Sequence, residues 1–354
     1  MIAEVLQQPV AAFVEMFHDP RSRWFTLYLI TSLAIAWGVY RRQARRDPEV
    51  RALGFIGFVF PGEIYGHASA KLDYWFYVFN KLAFAGIFAG TVVIAQASSW
   101  LTLGAAQVLV AEPPLTGHPV LALVVTTVFY ALAMDFGLWL GHYLCHRVPL
   151  LWEFHKVHHS VEVLTPASAG RVHPLDDLLS YSLGGIMGGM ASGLCHAAFG
   201  ADAAFFAAFQ LHIVLFAFYV LGFHLRHSHV WLPYTGWLGH VLISPAHHQV
   251  HHSSEERHWD RNMGFIFALW DWMFGTLYVP AREPETFKLG IGGEEKEFNS
   301  LGRLYCLPLV KAWRRLRGAA PDPKVVAGHL GFADVDAAAD ENRPTAQAGA
   351  TLRP

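Results

Sequence analysis

Five apolar stretches between Trp24 and Phe223 constrain this chain more than any other feature. Trp24 to Tyr40 carries no formal charge and stops at Arg41, Arg42, Arg45 and Arg46. Tyr74 to Leu101 carries only Lys81, and Pro119 to Gly141 only Asp135. Leu178 to Phe199 and Ala203 to Phe223 are separated by little more than Gly200, Ala201 and Asp202. A helix needs about 20 apolar residues to cross a hydrocarbon core about 30 Å thick, so the pattern predicts five spans, the last two forming a hairpin. The fourth stretch holds Gly184, Gly185, Gly188, Gly189 and Gly193, small residues at spacings that let helix backbones approach closely in lipid. The first stretch lacks the ordered basic end, short apolar run and cleavage site of a signal peptide, so it reads as a retained helix.

Charge assigns the sides. The segment Ser98 to His118 and the turn between the fourth and fifth stretches hold no Lys or Arg. Arg41 to Lys71, Arg147 to Arg171 and the chain after Phe223 are rich in both, which places them in the cytoplasm; Arg21 and Arg23 point the other way. Only 15% of the 354 residues are charged, against roughly 25% in an average soluble domain. Lys and Arg total 26, Asp and Glu 28, and the net charge of −2 offers no basic face for a phosphate backbone, which excludes nucleic acid as a partner. The three cysteines form no CxxC pair, so neither a disulfide framework nor a thiolate metal site is indicated.

The chain has 21 His, and seventeen of them fall between His142 and His258. HYLCH presents His142 and His146 at i and i+4; HKVHH presents His155, His158 and His159, and HQVHH presents His248, His251 and His252, at i, i+3 and i+4. On helices these spacings put the rings of each cluster on one face. A lone His such as His18, His67, His118 or His329 is ordinarily a hydrogen-bonded packing residue, and His196 and His212 read the same way. Eight rings in three clusters differ, because each buried imidazole costs desolvation and needs partners for two nitrogens, which a metal supplies. Imidazole suits zinc, copper, iron and nickel. One tetrahedral ion takes about four ligands, so this many rings imply two ions. The Glu of HExxH is absent, with Lys156 and Gln249 at that position. Open positions on paired nitrogen-ligated ions at a membrane surface suit oxygen activation better than hydrolysis.

These motifs resemble the fatty acid hydroxylase and sterol desaturase superfamily of integral-membrane diiron enzymes. The HxxxH, HxxHH, HxxHH pattern is met by His142 to His146, His155 to His159 and His248 to His252, and the resemblance runs from Asp135 to Tyr278, taking in RVHP at Arg171 to Pro174. It implies an all-α protein of polytopic membrane helices, with a cytoplasmic helical cap holding a dimetal site. It implies two iron ions, which zinc can replace in purified protein, with O2 as cosubstrate. It also implies a lipid C–H bond that is hydroxylated or desaturated. His227, in HSHVWLP, takes the place of a further family ligand; His229 stands where the family has Asn, and His224 adds a ring one turn earlier, so both are further candidates. Asp135, two turns before His142, is a candidate for a hydrogen bond to a ligand ring, and His173 and His247 are weaker candidates for ligation. With no GxGxxG turn, cluster cysteines or haem domain in the sequence, electrons are expected from a separate ferredoxin or b-type cytochrome with its reductase. The implied organisation is an N-terminal membrane region over 1–134, a catalytic domain over 135–279, an extension over 280–317 and a disordered tail over 318–354. Two rival readings are a membrane metal-binding or transport protein and a zinc-dependent lipid hydrolase. The first would set ionisable residues along the spans, and the second would need the missing Glu.

Overall fold

The computed structural model describes residues 14–110 and 112–318, so all but the first residue of the expected tail lies outside the described residues. Among the described residues three helices are long and apolar enough to cross a membrane: Ala89–Leu109, Pro119–Arg147 and Pro174–Asp202. They belong to helices α4 (Ala85–Leu109), α5 (Pro119–Arg147) and α7 (Pro174–Phe199). Six further helices form a layer at one end of this bundle: α1 (Thr26–Ala44), α2 (Pro48–Val59), α3 (Ala68–Ala83), α6 (Pro149–His159), α9 (Pro245–His251) and α10 (Leu301–Leu316). Between α7 and α9 lies the short α8 (Ile213–Val220).

Three of the expected spans are thereby corrected. The first forms α1, but both its ends meet the layer that carries the histidines. Before it, the Arg23 guanidinium donates to the Ala169 carbonyl at 3.3 Å; beyond it, Arg46 pairs with Glu283 at 2.9 Å. The helix lies against the layer instead of crossing, which puts Arg23 on the same side as Arg41 and removes the contradiction in the charge pattern. The second stretch breaks at Phe84, whose φ of −122° and ψ of 18° leave the helical region. Its first half, α3, packs in the layer, where Asn80 donates to the Val172 carbonyl; its second half, α4, is the span. The fifth stretch forms a two-residue antiparallel pair, Ala207–Ala208 with Leu211–His212, and the eight-residue α8. An eight-residue helix is about 12 Å long, far short of the hydrocarbon thickness. The hairpin turns through Phe209 and Gln210 at φ of 51° and 62°, a conformation that non-glycine residues seldom adopt.

The glycines of α7 do what their spacing predicts. A Cβ on Gly189 would lie 2.3 Å from the Ala95 carbonyl oxygen of α4, and one on Gly137 of α5 would lie 2.4 Å from the Leu183 carbonyl oxygen of α7. Side chains at these positions would force the backbones apart. Helix α5 has 29 residues and is about 44 Å long, so it overhangs a 30 Å core. Val120, Leu121, Val124 and Val128 are exposed in its first half, which is the half suited to lipid. The overhang is the other end, with His142 and His146.

The layer is held by buried ion pairs as well as apolar contacts. Arg171 pairs with Asp73 and donates to Ser69 and Ser160. Lys156 of α6 reaches Glu294 at 2.9 Å and Glu153 at 3.3 Å, and Glu153 pairs with Arg315 of α10. The segment after residue 280 therefore closes the back of α6, leaving its histidine face for the interior.

Candidate metal centre

Helix α6 starts with Pro149 at its first turn, where the absent N–H costs nothing. It buries Trp152, Glu153 and the whole run from His155 to His159. Helix α9 also begins with Pro at its first turn, after Ser244, whose hydroxyl accepts from the His247 backbone while the His247 ring caps the Ser244 N–H. That reciprocal cap accounts for the first His of HHQVHH as a helix start. His173 plays a similar capping part, since its Nδ1 accepts from Leu175 N–H at the head of α7 and its Nε2 donates to the Tyr305 carbonyl at 3.2 Å.

Nine rings gather into two groups whose candidate ligand atoms lie within 4.8 Å of one another. The first comprises His142, His146, His155, His159 and His251, and the second His158, His227, His248 and His252. Both HxxHH motifs are shared between the groups. On a helix the last two positions of the motif differ by about 100° in direction, so His158 and His159 part company, as do His251 and His252. The groups abut: the rings of His159 and His252 are 4.7 Å apart, centroid to centroid.

Hydrogen bonds decide which nitrogen of each ring faces inward. The Nδ1 atoms of His142, His158 and His251 donate to the carbonyls of Met263, Arg171 and Arg261 at 2.7, 3.2 and 2.8 Å. Those of His155 and His146 face the carboxylates of Asp176 and Asp260 at 2.7 and 3.3 Å. The Ser168 hydroxyl donates to the Thr165 carbonyl and so accepts from Nδ1 of His227 at 2.9 Å. In six rings the proton is thus on Nδ1 and the Nε2 lone pair points at the other rings. His142 and His155 bring their Nε2 atoms to 3.0 Å, although neither has a hydrogen to give. Two lone pairs at that distance require a cation between them. Around this pair, burial, the largest cause, and then the neighbouring rings hold His159, His251, His227 and His252 well below the usual imidazole range, and His158 down to about 3. A metal ion fits this donor set. Of the other three rings, His252 has no partner at Nδ1, and His248 differs from the six in that its Nδ1 meets a donor, the Arg226 guanidinium, at 3.0 Å.

A third group able to hold a metal, Cys145, His155 and Asp176, has a simpler account. The Asp176 carboxylate accepts from the His155 ring and from the Cys145 thiol, at 3.4 Å, and serves as an anchor behind the first histidine group.

The other predicted residues lie elsewhere. His224 donates through Nε2 to the Arg23 carbonyl at 2.7 Å and His229 to the Phe58 carbonyl at 2.6 Å; neither is in a histidine group. Asp135 touches no ligand ring among its hydrogen bonds: its oxygens accept from the Ile266 and Phe267 amides at 2.8 and 3.1 Å and from the Trp270 indole at 3.0 Å. It acts one step back, with Asp271, which takes the Met263 and Gly264 amides at 2.9 and 2.7 Å. Together they pin residues 263–267 against α5, which aims the Met263 carbonyl at His142. Sequence reasoning missed Asp176, Asp260, Ser168 and Arg226. None sits at a periodic spacing from the motif it serves, and only contacts across 21 to 114 residues reveal them.

Residues 127–276 match the fatty acid hydroxylase family. The chain is 30% identical over 226 residues to the ornithine lipid hydroxylase of Rhizobium tropici, covering 61% of this chain and 62% of that protein. It is 29% identical over 176 residues to the alkylglycerol monooxygenase of Caenorhabditis elegans, covering 50% and 31%. To a very-long-chain aldehyde decarbonylase of Oryza sativa it is 27% identical over 146 residues, covering 41% and 51%. The chain thus spans less than two thirds of the length of each of these relatives. No solved structure matches it. The matched region begins within α5 and takes in all nine gathered rings, so residues 127–276 are a fatty acid hydroxylase domain, and that region and these relatives support the fatty acid hydroxylase and sterol desaturase superfamily.

Proposed function

We propose that this protein is a membrane-bound, O2-dependent lipid oxygenase whose nine gathered histidines hold two iron ions. The observation that carries the reading is the pair of adjoining groups, five rings and four, with six Nε2 lone pairs turned inward. Its relatives include an ornithine lipid hydroxylase and alkylglycerol monooxygenases, which favours hydroxylation of a lipid C–H bond over desaturation. When bound, the irons supply the redox chemistry by which dioxygen is reduced and one of its atoms enters that bond. The chain's own residues do the rest. The carbonyls of Met263, Arg171 and Arg261 and the carboxylates of Asp176 and Asp260 fix ring orientation and tautomer. Burial of the rings excludes water from the centre and keeps the imidazoles neutral and available.

The catalytic unit in this reading runs from about 135 to 279, between the N-terminal membrane region and the extension that backs α6. The histidine end of the bundle faces the cytoplasm. Lys and Arg flank the bundle there, at Arg41 to Lys81, Arg147 to Arg171 and beyond Arg226, while the 110–118 and 200–206 connections hold neither. A separate ferredoxin or b-type cytochrome with its reductase delivers the two electrons that each turnover consumes.

Metal analysis of protein purified without oxygen tests the proposal. About two irons per chain, with reductant-dependent oxygen uptake in the presence of lipid, is the expected result. A single tightly held zinc, with lipid hydrolysis and no oxygen uptake, would overturn it.

A further inference from the structure

Helix α10 carries an apolar stripe on its outer side. Gly302, Cys306, Leu309, Trp313 and Leu316 recur at i, i+4, i+7, i+11 and i+14, the spacing of one helix face, and all are exposed. Leu309 is 50%, Trp313 55% and Leu316 67% exposed. The opposite side of the helix packs on the protein: Leu304 is buried with Phe76 and Val157, and Arg315 pairs with Glu153 of α6. An exposed apolar stripe rimmed by polar residues marks contact with a protein or with a membrane.

Depth favours the membrane. The ring of Tyr305, the neighbour of Cys306, lies 5.7 Å from that of Phe84, and the Tyr305 carbonyl accepts from His173 at the head of α7. Phe84 stands little more than one turn before Ala89, where the apolar run of span α4 begins. That distance is about 7 Å along a helix, and the headgroup layer is about 5–8 Å deep on each side of the hydrocarbon. Helix α10 therefore passes the spans at headgroup depth.

Charge agrees with depth. Between 301 and 317 the chain holds Arg303, Lys311, Arg314, Arg315 and Arg317 and no acid. Lys311 and Arg315 turn inward to Glu294 and Glu153. Arg303, Arg314 and Arg317 are exposed, all on the same side of the stripe, about 60–120° round the helix from it. An apolar face with a basic flank is the pattern of a helix that lies in the plane of a bilayer surface.

We propose that α10 docks on the bilayer surface at the histidine end of the bundle, its Cys306, Leu309, Trp313 and Leu316 stripe sunk among the acyl chains and Arg303, Arg314 and Arg317 meeting the phosphates of anionic lipids. The layer is then tied to the membrane by a helix outside the matched family region, and the ion pair of Arg315 with Glu153 carries that tie to α6. The proposal rests on the spans and is independent of the metal that the histidines hold.

Cys306 supplies the probe, because it is exposed while Cys145 and Cys195 are buried. A nitroxide on Cys306 of the full chain, in vesicles of phosphatidylcholine with phosphatidylglycerol, reports depth through its collisions with oxygen, which enters the acyl region, and with a water-soluble nickel chelate, which does not. The oxygen-to-nickel ratio at Cys306 should be several-fold that of the same label on Arg314→Cys in a Cys306→Ser chain. Labels on Leu309→Cys and Trp313→Cys in that background should match Cys306, and one on Arg303→Cys should match Arg314→Cys. Without phosphatidylglycerol the ratio at Cys306 should fall, and Arg314→Gln combined with Arg317→Gln should abolish that lipid dependence. A nickel-accessible label at Cys306 in vesicles, as expected of a surface awaiting a soluble protein, would overturn the proposal. So would spin–spin broadening at Cys306 that dilution with unlabelled protein relieves, which would make the stripe a contact between two copies of the chain. Equal ratios with and without phosphatidylglycerol would overturn the anionic assignment.

Discussion

The five-ring and four-ring groups use the same side chain but differ in what stands behind it. Behind the first are two carboxylates, Asp176 and Asp260, and two carbonyls, Met263 and Arg261. Behind the second are the Arg171 carbonyl, the Ser168 hydroxyl and the Arg226 guanidinium. A carboxylate on the outer nitrogen makes the inner one a stronger donor, whereas a cation does the reverse. Burial is common to both groups, so the difference is one of partners. An ion in the five-ring group should therefore be held more tightly, with a ligand to spare, and a chelator should strip the four-ring group first.

Loss of a ligand gives the largest expected effect and tests the asymmetry directly. His158→Ala leaves three rings in its group and should empty it, whereas His251→Ala leaves four rings and should retain much of its metal. Turnover should fall to background in both. His18→Ala should change neither metal content nor rate. Equal metal loss in the His158 and His251 variants would break the comparison.

Changes behind the rings come next. Asp176→Asn should lower metal affinity by about 10–100-fold in the five-ring group alone. Ser168→Ala should cost about tenfold, and in the four-ring group alone. Two-site metal titration reads both, and a change in the untouched site would show that the groups are not independently supported.

The smallest effect is graded and comes from buried rings in and around the four-ring group, because burial is its cause. His158 and His247 are lowered to about 3 and His224 to about 4, against about 6.5 for an unfolded ring. Between about pH 6.5 and 3 the unfolded chain takes up protons that the folded one refuses, so stability is full above that window and declines as pH falls. The melting temperature of metal-free protein should hold steady above about pH 7 and drop below 6.5. A constant melting temperature down to pH 5 would mean that these rings are open to protons in the folded state.

How much of this was legible in the sequence varies by element. The three histidine motifs, the glycine face of α7 and the lipid-facing half of α5 follow from local spacing, because helical periodicity fixes which side chains share a face. The fifth span did not form. Its apolar residues answer to α5, α1 and the turn at Phe209, and hydrophobicity alone does not tell a helix crossing lipid from an irregular segment buried against protein. The first span did form a helix, but whether a 19-residue apolar helix crosses or lies flat depends on what its ends touch. Asp135 was visible as a buried acid of consequence, yet its partners are amides some 130 residues away.

By itself, the sequence determined that imidazoles would stand in clusters at helix ends near a membrane, because a regular helix repeats and apolar length is counted along the chain. Only the tertiary structure decided how those rings divide into two groups, which nitrogen each turns inward, and which carboxylate, hydroxyl or guanidinium stands behind it. Those choices depend on pairings between segments far apart in the chain, and such pairings leave no period in the sequence to read.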